Sequence, residues 1–410
     1  MNENTLFLIL IGIIIIDFLL DTLLDYLNAR RFSAPIPAGL TDVFDPQEYE
    51  KSQKYKKANY KFGQITSTIS LVALIAFLSL NGFAYVDFLA RELFDHPVLV
   101  GLAFFGILLL AGDILSLPFS YFHTFVIEEQ FGFNKTTKKT FFLDKLKGWG
   151  MMIVLGGLIL SLVIGFYQWT GQNFWWYAWI LVSVVSVFLN MFYSRLIVPL
   201  FNKQTPLPEG SLREKIETYA RREGFDLENI FVIDGSKRST KANAYFSGFG
   251  REKRITLYDT LINDLDEEEI VAVLAHEVGH YRKNHILINL LLSILVTGFT
   301  LWLLSLFVES PLLSGALGVS QPSFHVSLVA FALLYSPVST ITGLLMNYLS
   351  RKFEYQADDF AKSTFDAGAL VGGLKKLSKK SLSNLTPHPA YVFVHYSHPP
   401  LALRLANLEK

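Results

Sequence analysis

The chain has 410 residues, and 36 Lys and Arg balance 36 Asp and Glu, a formal charge of zero that argues against a nucleic-acid partner. With 51% hydrophobic and 18% charged residues and a mean hydropathy of +0.35, it is too apolar for a water-soluble globule and implies membrane spans. There is no cysteine, so disulfides and thiolate chemistry are excluded and any metal site falls to His and carboxylates.

Apolar runs occur at residues 5–24, 65–85, 98–117, 151–169, 177–200, 286–307 and 326–349. Each is near the roughly 20 residues a helix needs to cross a bilayer, so seven spans are expected. No Lys or Arg precedes the first run, which leads into Asp17, Asp21 and Asp25; it reads as a retained helix and not as a cleaved leader. Those three carboxylates recur every four residues on one face, which should meet protein or a water-filled chamber. Successive loops hold 7, 1, 5, 0, 13, 0 and 9 Lys and Arg. That alternation places the N-terminus outside and the C-terminus in the cytoplasm.

Four regions follow. Residues 1–200 hold five spans and two cytoplasmic loops, and 201–283 form a cytoplasmic region. Residues 284–349 are spans six and seven, and 350–410 are a cytoplasmic tail. Within the second region, residues 229–234, 243–247 and 254–258 are short, β-branched or aromatic, and separated by Gly and Ser clusters, as in a small β-meander.

The sharpest motif is His276-Glu277-Val278-Gly279-His280, after an acidic helix start at Asp266-Glu267-Glu268-Glu269. Four residues apart, both imidazoles share one helical face, and chance would supply roughly 0.01 such matches in a chain of this composition. Zinc accepts neutral imidazoles, and Glu277 beside them can hold and deprotonate a water, which is the hydrolytic use of this spacing.

A third ligand must come from elsewhere. Continued as helix, the chain puts His285 about 140° around from His280, pointing away. Span six begins roughly 9 Å of helix after His280, and span seven ends about 7.5 Å before Glu354, both on the cytoplasmic side. Glu354 can therefore meet the two histidines, whereas Glu309 lies in the opposite loop. Asp358 follows one turn after Glu354 and could orient a ligating imidazole. His96, His123, His325 and His388 have no metal-like spacing and read as ordinary loop or span-end residues.

With these motifs, the chain resembles the type I CAAX prenyl endopeptidases, integral-membrane zinc metalloproteases of the gluzincin kind. Besides the two zinc-site motifs, the likeness includes Glu128-Glu129-Gln130-Phe131-Gly132-Phe133-Asn134-Lys135, Pro199-Leu200-Phe201-Asn202-Lys203 and Ser236-Lys237-Arg238-Ser239. It continues in Asn243-Ala244-Tyr245-Phe246 and His395-Tyr396-Ser397-His398-Pro399-Pro400. The resemblance implies an all-α membrane protein of seven helices forming a barrel around a large chamber. A cytoplasmic zinc-protease cap with the small meander would close it, holding one Zn2+ on His276, His280 and Glu354.

It further implies that Asn243 and Ala244 belong to an edge strand that hydrogen-bonds an extended peptide, that His398 stabilises the oxyanion, and that Arg404 positions substrate or intermediate. The implied partners are the lipid bilayer and a peptide or protein substrate, prenylated at its C-terminus in the family's own case. Two protease functions stay open: CAAX processing, and membrane-protein quality control without prenyl substrates. A metal transporter would need ligands along a path through the spans, for which Asp113 and the Asp17 series are the only hints.

Overall fold

The computed structural model describes residues 2–224, 229–248 and 253–410. Among these, six helical stretches are long and apolar enough to cross a membrane. The first three are α1 (Glu3–Ala29), α2 (Pro46–Ser79) and α3 (Pro97–Phe122), the last continued by a π-helical turn over His123–Glu128. The fourth, Lys138–Phe201, has 64 residues. As one straight helix it would measure about 96 Å, three times a bilayer core. It instead comprises α4 (Lys138–Met151), α5 (Gly157–Thr170) and α6 (Phe174–Leu196), and it reverses after α5 at Gly171. There φ is +56°, a value costly for a residue with a Cβ. Phe166 and Tyr177 then face each other with ring centroids 5.5 Å apart. Counting this hairpin as two passes gives seven traverses.

The seven passes are packed at their two ends. One apolar cluster joins Leu6 and Leu10 at the start of α1, Leu78 at the end of α2, Phe104 near the start of α3 and Phe174 at the start of α6. The other ends meet soluble elements, as where Tyr55 of α2 and Ile127 pack with Phe131 and Leu385. The middles are hardly buried. The last membrane helix runs over Phe324–Thr364, yet its buried residues fall only in Phe324–Phe331 and Phe353–Ala361. The stretch between is about 30 Å long, the thickness of a hydrocarbon core. Helices packed into a solid bundle would each bury a continuous stripe; here the middles touch only single neighbours, as where Trp179 Nε1 donates to the Ile294 carbonyl at 2.8 Å, and the ring encloses a space.

The cap is built on a four-stranded sheet. Its strands are β1 (Gln204–Pro206), β2 (Ile230–Ile233), β3 (Ala244–Ser247) and β4 (Arg254–Tyr258), in the order β1-β2-β4-β3. This corrects the expected meander: β4 lies inside the sheet and pairs parallel with β2 and antiparallel with β3, and β1 is an additional strand. The reason is apolarity. Ile255, Thr256 and Leu257 are buried, which suits a central strand, whereas every residue of β3 is half-exposed, which suits an edge.

Against the sheet packs α7 (Glu267–Arg282), begun by a capping box in which Asp266 and Glu269 satisfy each other's backbone N–H groups. Ile270, Val271, Leu274, Ala275 and Val278 bury its apolar face with Leu257 and Ala361. The chain then enters α8 (His285–Phe307), and the Phe324–Thr364 helix, α9, returns it to the cap. The short α10 (Leu401–Leu408) closes the site from the tail.

Candidate metal centre and active site

Burial of one face of α7 turns His276 and His280 toward the cap end of α9, where Glu354 meets them. His276 Nε2 and His280 Nε2 are 3.2 Å apart. Glu354 Oε2 is 3.5 Å from His276 Nε2, and Glu354 Oε1 is 3.3 Å from His280 Nε2. A tetrahedral ion held at about 2.05 Å has ligand edges of about 3.3 Å, so the triangle has the size a zinc-like cation requires. Glu354 Oε2 is buried without a hydrogen-bond partner, a costly state that a cation relieves. Among the described residues this is the one group of His, Asp or Glu spaced to share a metal ion. Asp113, by contrast, is occupied by Lys145 Nζ at 2.7 Å and Trp149 Nε1 at 2.8 Å. Asp17 accepts from Ser336, and Asp25 accepts from Gln64 Nε2 at 2.9 Å. These three span carboxylates are engaged in helix–helix contacts, so among the described residues they offer no ladder of ligands for an ion path.

Asp358 lies behind the triangle, fully buried, with Oδ1 2.9 Å from His276 Nδ1. Arg404 of α10 grips the same carboxylate in bidentate fashion, Nε to Oδ2 at 2.9 Å and Nη2 to Oδ1 at 2.6 Å. Its Nη1 is 3.6 Å from Glu354 Oε2. Arg404 thus spends its charge on neutralising Asp358 and facing Glu354 while still lining the cavity, an attachment that sequence spacing had not indicated. Burial alone would lower the His276 pKa, but its hydrogen bonds to Asp358 and Glu354 outweigh that and hold it up at about 9. Burial pushes the Glu277 carboxyl above its usual range, against the lowering pull of His276 and His280. Glu277 makes no hydrogen bond or ion pair among the described residues and so keeps both oxygens available to the cavity.

That cavity has a volume of about 660 Å³ and is lined by Asn243 and Ala244, by His276, Glu277, His280 and Glu354, and by His398 and Arg404. The structure therefore gathers eight of the nine sequence-selected residues around one space, with Asp358 immediately behind. His398 Nε2 approaches Glu354 Oε1 at 3.2 Å, and its side chain is 64% exposed. On the opposite wall, Tyr258 N–H donates to the Asn243 carbonyl at 3.1 Å. Successive residues of a strand alternate their backbone groups, so Ala244, next to the bonded Asn243, turns its N–H and C=O to the open edge. The Ala244 N–H is held by the Asn243 side chain at 2.9 Å.

Sequence reasoning missed one neighbour. α7 ends at Arg282, and Asn284, with φ +59°, turns the chain so that His285 opens α8 and folds back onto His280. An Asn just past a basic last turn is a helix-stop signal that could have revealed this. His96 and His388 cap helices as ordinary end residues do, but His325 is buried against Asp87.

An enclosed helical membrane scaffold with a buried His-His-Glu triangle and a free glutamate beside it defines a membrane metallopeptidase. Comparison with known proteins agrees: residues 25–203 match the family model for the CAAX prenyl protease N-terminal region of five membrane helices, and residues 206–410 match peptidase family M48. The chain belongs to peptidase family M48 and is a membrane metalloendopeptidase of the CAAX protease type. It is 38% identical to a CAAX prenyl protease 1 homolog of Dictyostelium discoideum, over 94% of this chain and 93% of that one. It is 35% identical to CAAX prenyl protease 1 of Saccharomyces cerevisiae, covering 98% and 95%. The crystal structure of S. mikatae Ste24p superposes with a TM-score of 0.94 at 34% identity, covering 99% of each chain.

Proposed function

We propose that this protein uses one zinc ion, held by His276, His280 and Glu354, to hydrolyse a peptide bond near the C-terminus of prenylated proteins. The observation that carries the metal assignment is the 3.2 to 3.5 Å triangle around an otherwise unsatisfied Glu354 oxygen. The prenylated substrate is supported by relatives named CAAX prenyl protease 1.

When bound, zinc supplies Lewis-acid activation of the attacking water and the scissile carbonyl. An extended substrate adds to the edge of β3 at Ala244, whose N–H exchanges the Asn243 side chain for the substrate carbonyl, which lays the substrate backbone across the cavity beside Glu277. Glu277 accepts the water proton as the C–O bond forms and returns it to the departing amine nitrogen as the C–N bond breaks. His398 Nε2–H donates to the carbonyl oxygen as that atom becomes charged. Asp358, neutralised by Arg404, accepts from His276 Nδ1–H and leaves the Nε2 lone pair free to hold the metal. The alternation of basic residues between loops supports a cap on the cytoplasmic side and an outside N-terminus.

The test is mass spectrometry of the products formed from matched prenylated and unprenylated peptides by the purified protein. Release of a C-terminal tripeptide from the prenylated peptide alone is expected. Equal cleavage of both would favour a broader role in clearing membrane proteins.

A further inference from the structure

His276 has an evident support in Asp358, but among the described residues no carboxylate stands behind the other histidine of the triangle. Its second nitrogen instead faces a histidine. His285 Nδ1 lies 3.1 Å from His280 Nδ1, and His285 Nε2 lies 2.8 Å from Gln356 Oε1. The His285 ring is held from the side: it stacks on Phe353 with centroids 4.2 Å apart and planes 10° from parallel, and only 1% of the residue is exposed. Phe353 and Gln356 flank Glu354 in the same turn of α9, so one turn of helix carries the triangle's carboxylate and both contacts that fix His285.

Counting protons along this chain leaves one arrangement. For His280 to offer a lone pair from Nε2, its proton must sit on Nδ1, which then has to donate. His285 Nδ1 is the atom in reach and must accept, so the His285 proton resides on Nε2. That proton is donated to Gln356 Oε1, an acceptor. The alternatives fail on contact: a proton on His285 Nδ1 would point at the proton on His280 Nδ1, and the amide nitrogen of Gln356, if turned inward, would face the Nε2–H. Each group is usable in one state, and each state requires the next.

We propose that Gln356 and His285 form a relay that sets the tautomer and ring angle of His280, making both of them positioning residues for the metal. The inference rests on the zinc reading above. It gives the two histidines different supports: an anion neutralised by Arg404 behind His276, and a neutral imidazole-amide pair behind His280. The interior of the site thereby gains an orienting contact without a further buried charge, which would need its own counter-ion.

The experiment is a chelator-competition measurement of Zn2+ affinity on the purified full-length protein in detergent, with the absorption spectrum of the Co2+-loaded protein as a second readout. His285→Leu removes the acceptor and should weaken Zn2+ binding about 10- to 100-fold, the usual effect of losing a group that orients a ligand. His285→Asn places an oxygen acceptor where Nδ1 stands and should recover most of that loss. Gln356→Leu, at a half-buried position, reads the same effect without touching the stacked ring and carries the test if His285→Leu does not fold. In the leucine variants the Co2+ spectrum should change shape. Wild-type affinity and an unchanged spectrum in folded His285→Leu or Gln356→Leu would overturn the relay. A wild-type protein that takes up no stoichiometric Zn2+ would instead overturn the metal assignment itself.

Discussion

Gly279 lies against the backbone of Ala357: a Cβ at position 279 would sit 3.1 Å from both the Ala357 Cα and its carbonyl oxygen. This contact between α7 and α9 lies beside the triangle, so the absence of a side chain lets the helix of the histidines sit close to the helix of Glu354.

Gly279→Ala should therefore push α7 off α9. Overpacking of this kind costs about 1–3 kcal/mol, and here the displaced parts are two sides of a metal site. Lower Tm together with reduced zinc content is expected in calorimetry and metal analysis of one preparation. Full zinc loading at wild-type Tm would show that the helices have slack at this contact.

Two glutamates should fail differently. Glu277→Gln keeps size and hydrogen bonding but cannot accept a proton, so kcat should fall by about 10²- to 10⁴-fold with zinc content preserved. Glu354→Ala removes one corner of the triangle, and both zinc and activity should be lost. Metal content and kinetics measured on the same samples decide the assignment, which an active Glu277→Gln enzyme would contradict.

Adjacent residues of β3 offer a matched pair of proline substitutions. Ala244→Pro removes an N–H facing the open edge, so KM should rise, or cleavage cease, while zinc and Tm hold. Tyr245→Pro removes a donor that faces β4 and should destabilise the cap instead. Thermal unfolding and peptide kinetics separate the two, and unchanged kinetics in Ala244→Pro would reduce this edge to a structural role.

That His276, His280, Glu354 and Asp358 meet was legible because most of the logic is local, whereas Asn243, Ala244, His398 and Arg404 came only through the family resemblance. A four-residue repeat of histidines implies a shared helical face, a four-residue step connects Glu354 to Asp358, and the Lys and Arg distribution puts the ends of two spans on one side. What escaped depends on where a helix stops or on partners far away in the chain. The break at Asn284 reverses the inference about His285, because angular extrapolation fails once a single residue leaves the helix. Strand order followed from the burial of β4, which alternation within five residues does not specify. The grip of Arg404 on Asp358 joins residues 46 positions apart, and nothing local announces it.

At the far end of the helices, the buried pair of Asp87 and His325, 2.6 Å apart, is completed by Arg91 Nε at 2.8 Å from Asp87. Asp87→Ala strands two partners and should cost about 3–5 kcal/mol. A large fall in unfolding temperature is expected, with zinc content and low-temperature activity unchanged. A variant as stable as wild type would mean that this pair contributes no net stability.

Sidedness has a direct test. Reporters fused after Lys410 and inserted near Gly315 should report opposite faces of the membrane, with Lys410 cytoplasmic. Agreement between them would remove one of the seven traverses.

The unburied middle of α9 means that the wall around the enclosed space is one helix thick. Outward-facing residues there meet acyl chains, and inward-facing ones meet the enclosed space. Systematic substitution along residues 332–352 should thus print the curvature of the wall as an alternation of tolerance with a period of about 3.6 residues. Positions that reject charge face lipid, and those that accept it face the interior. Read helix by helix, that pattern would outline the compartment without any ligand bound in it.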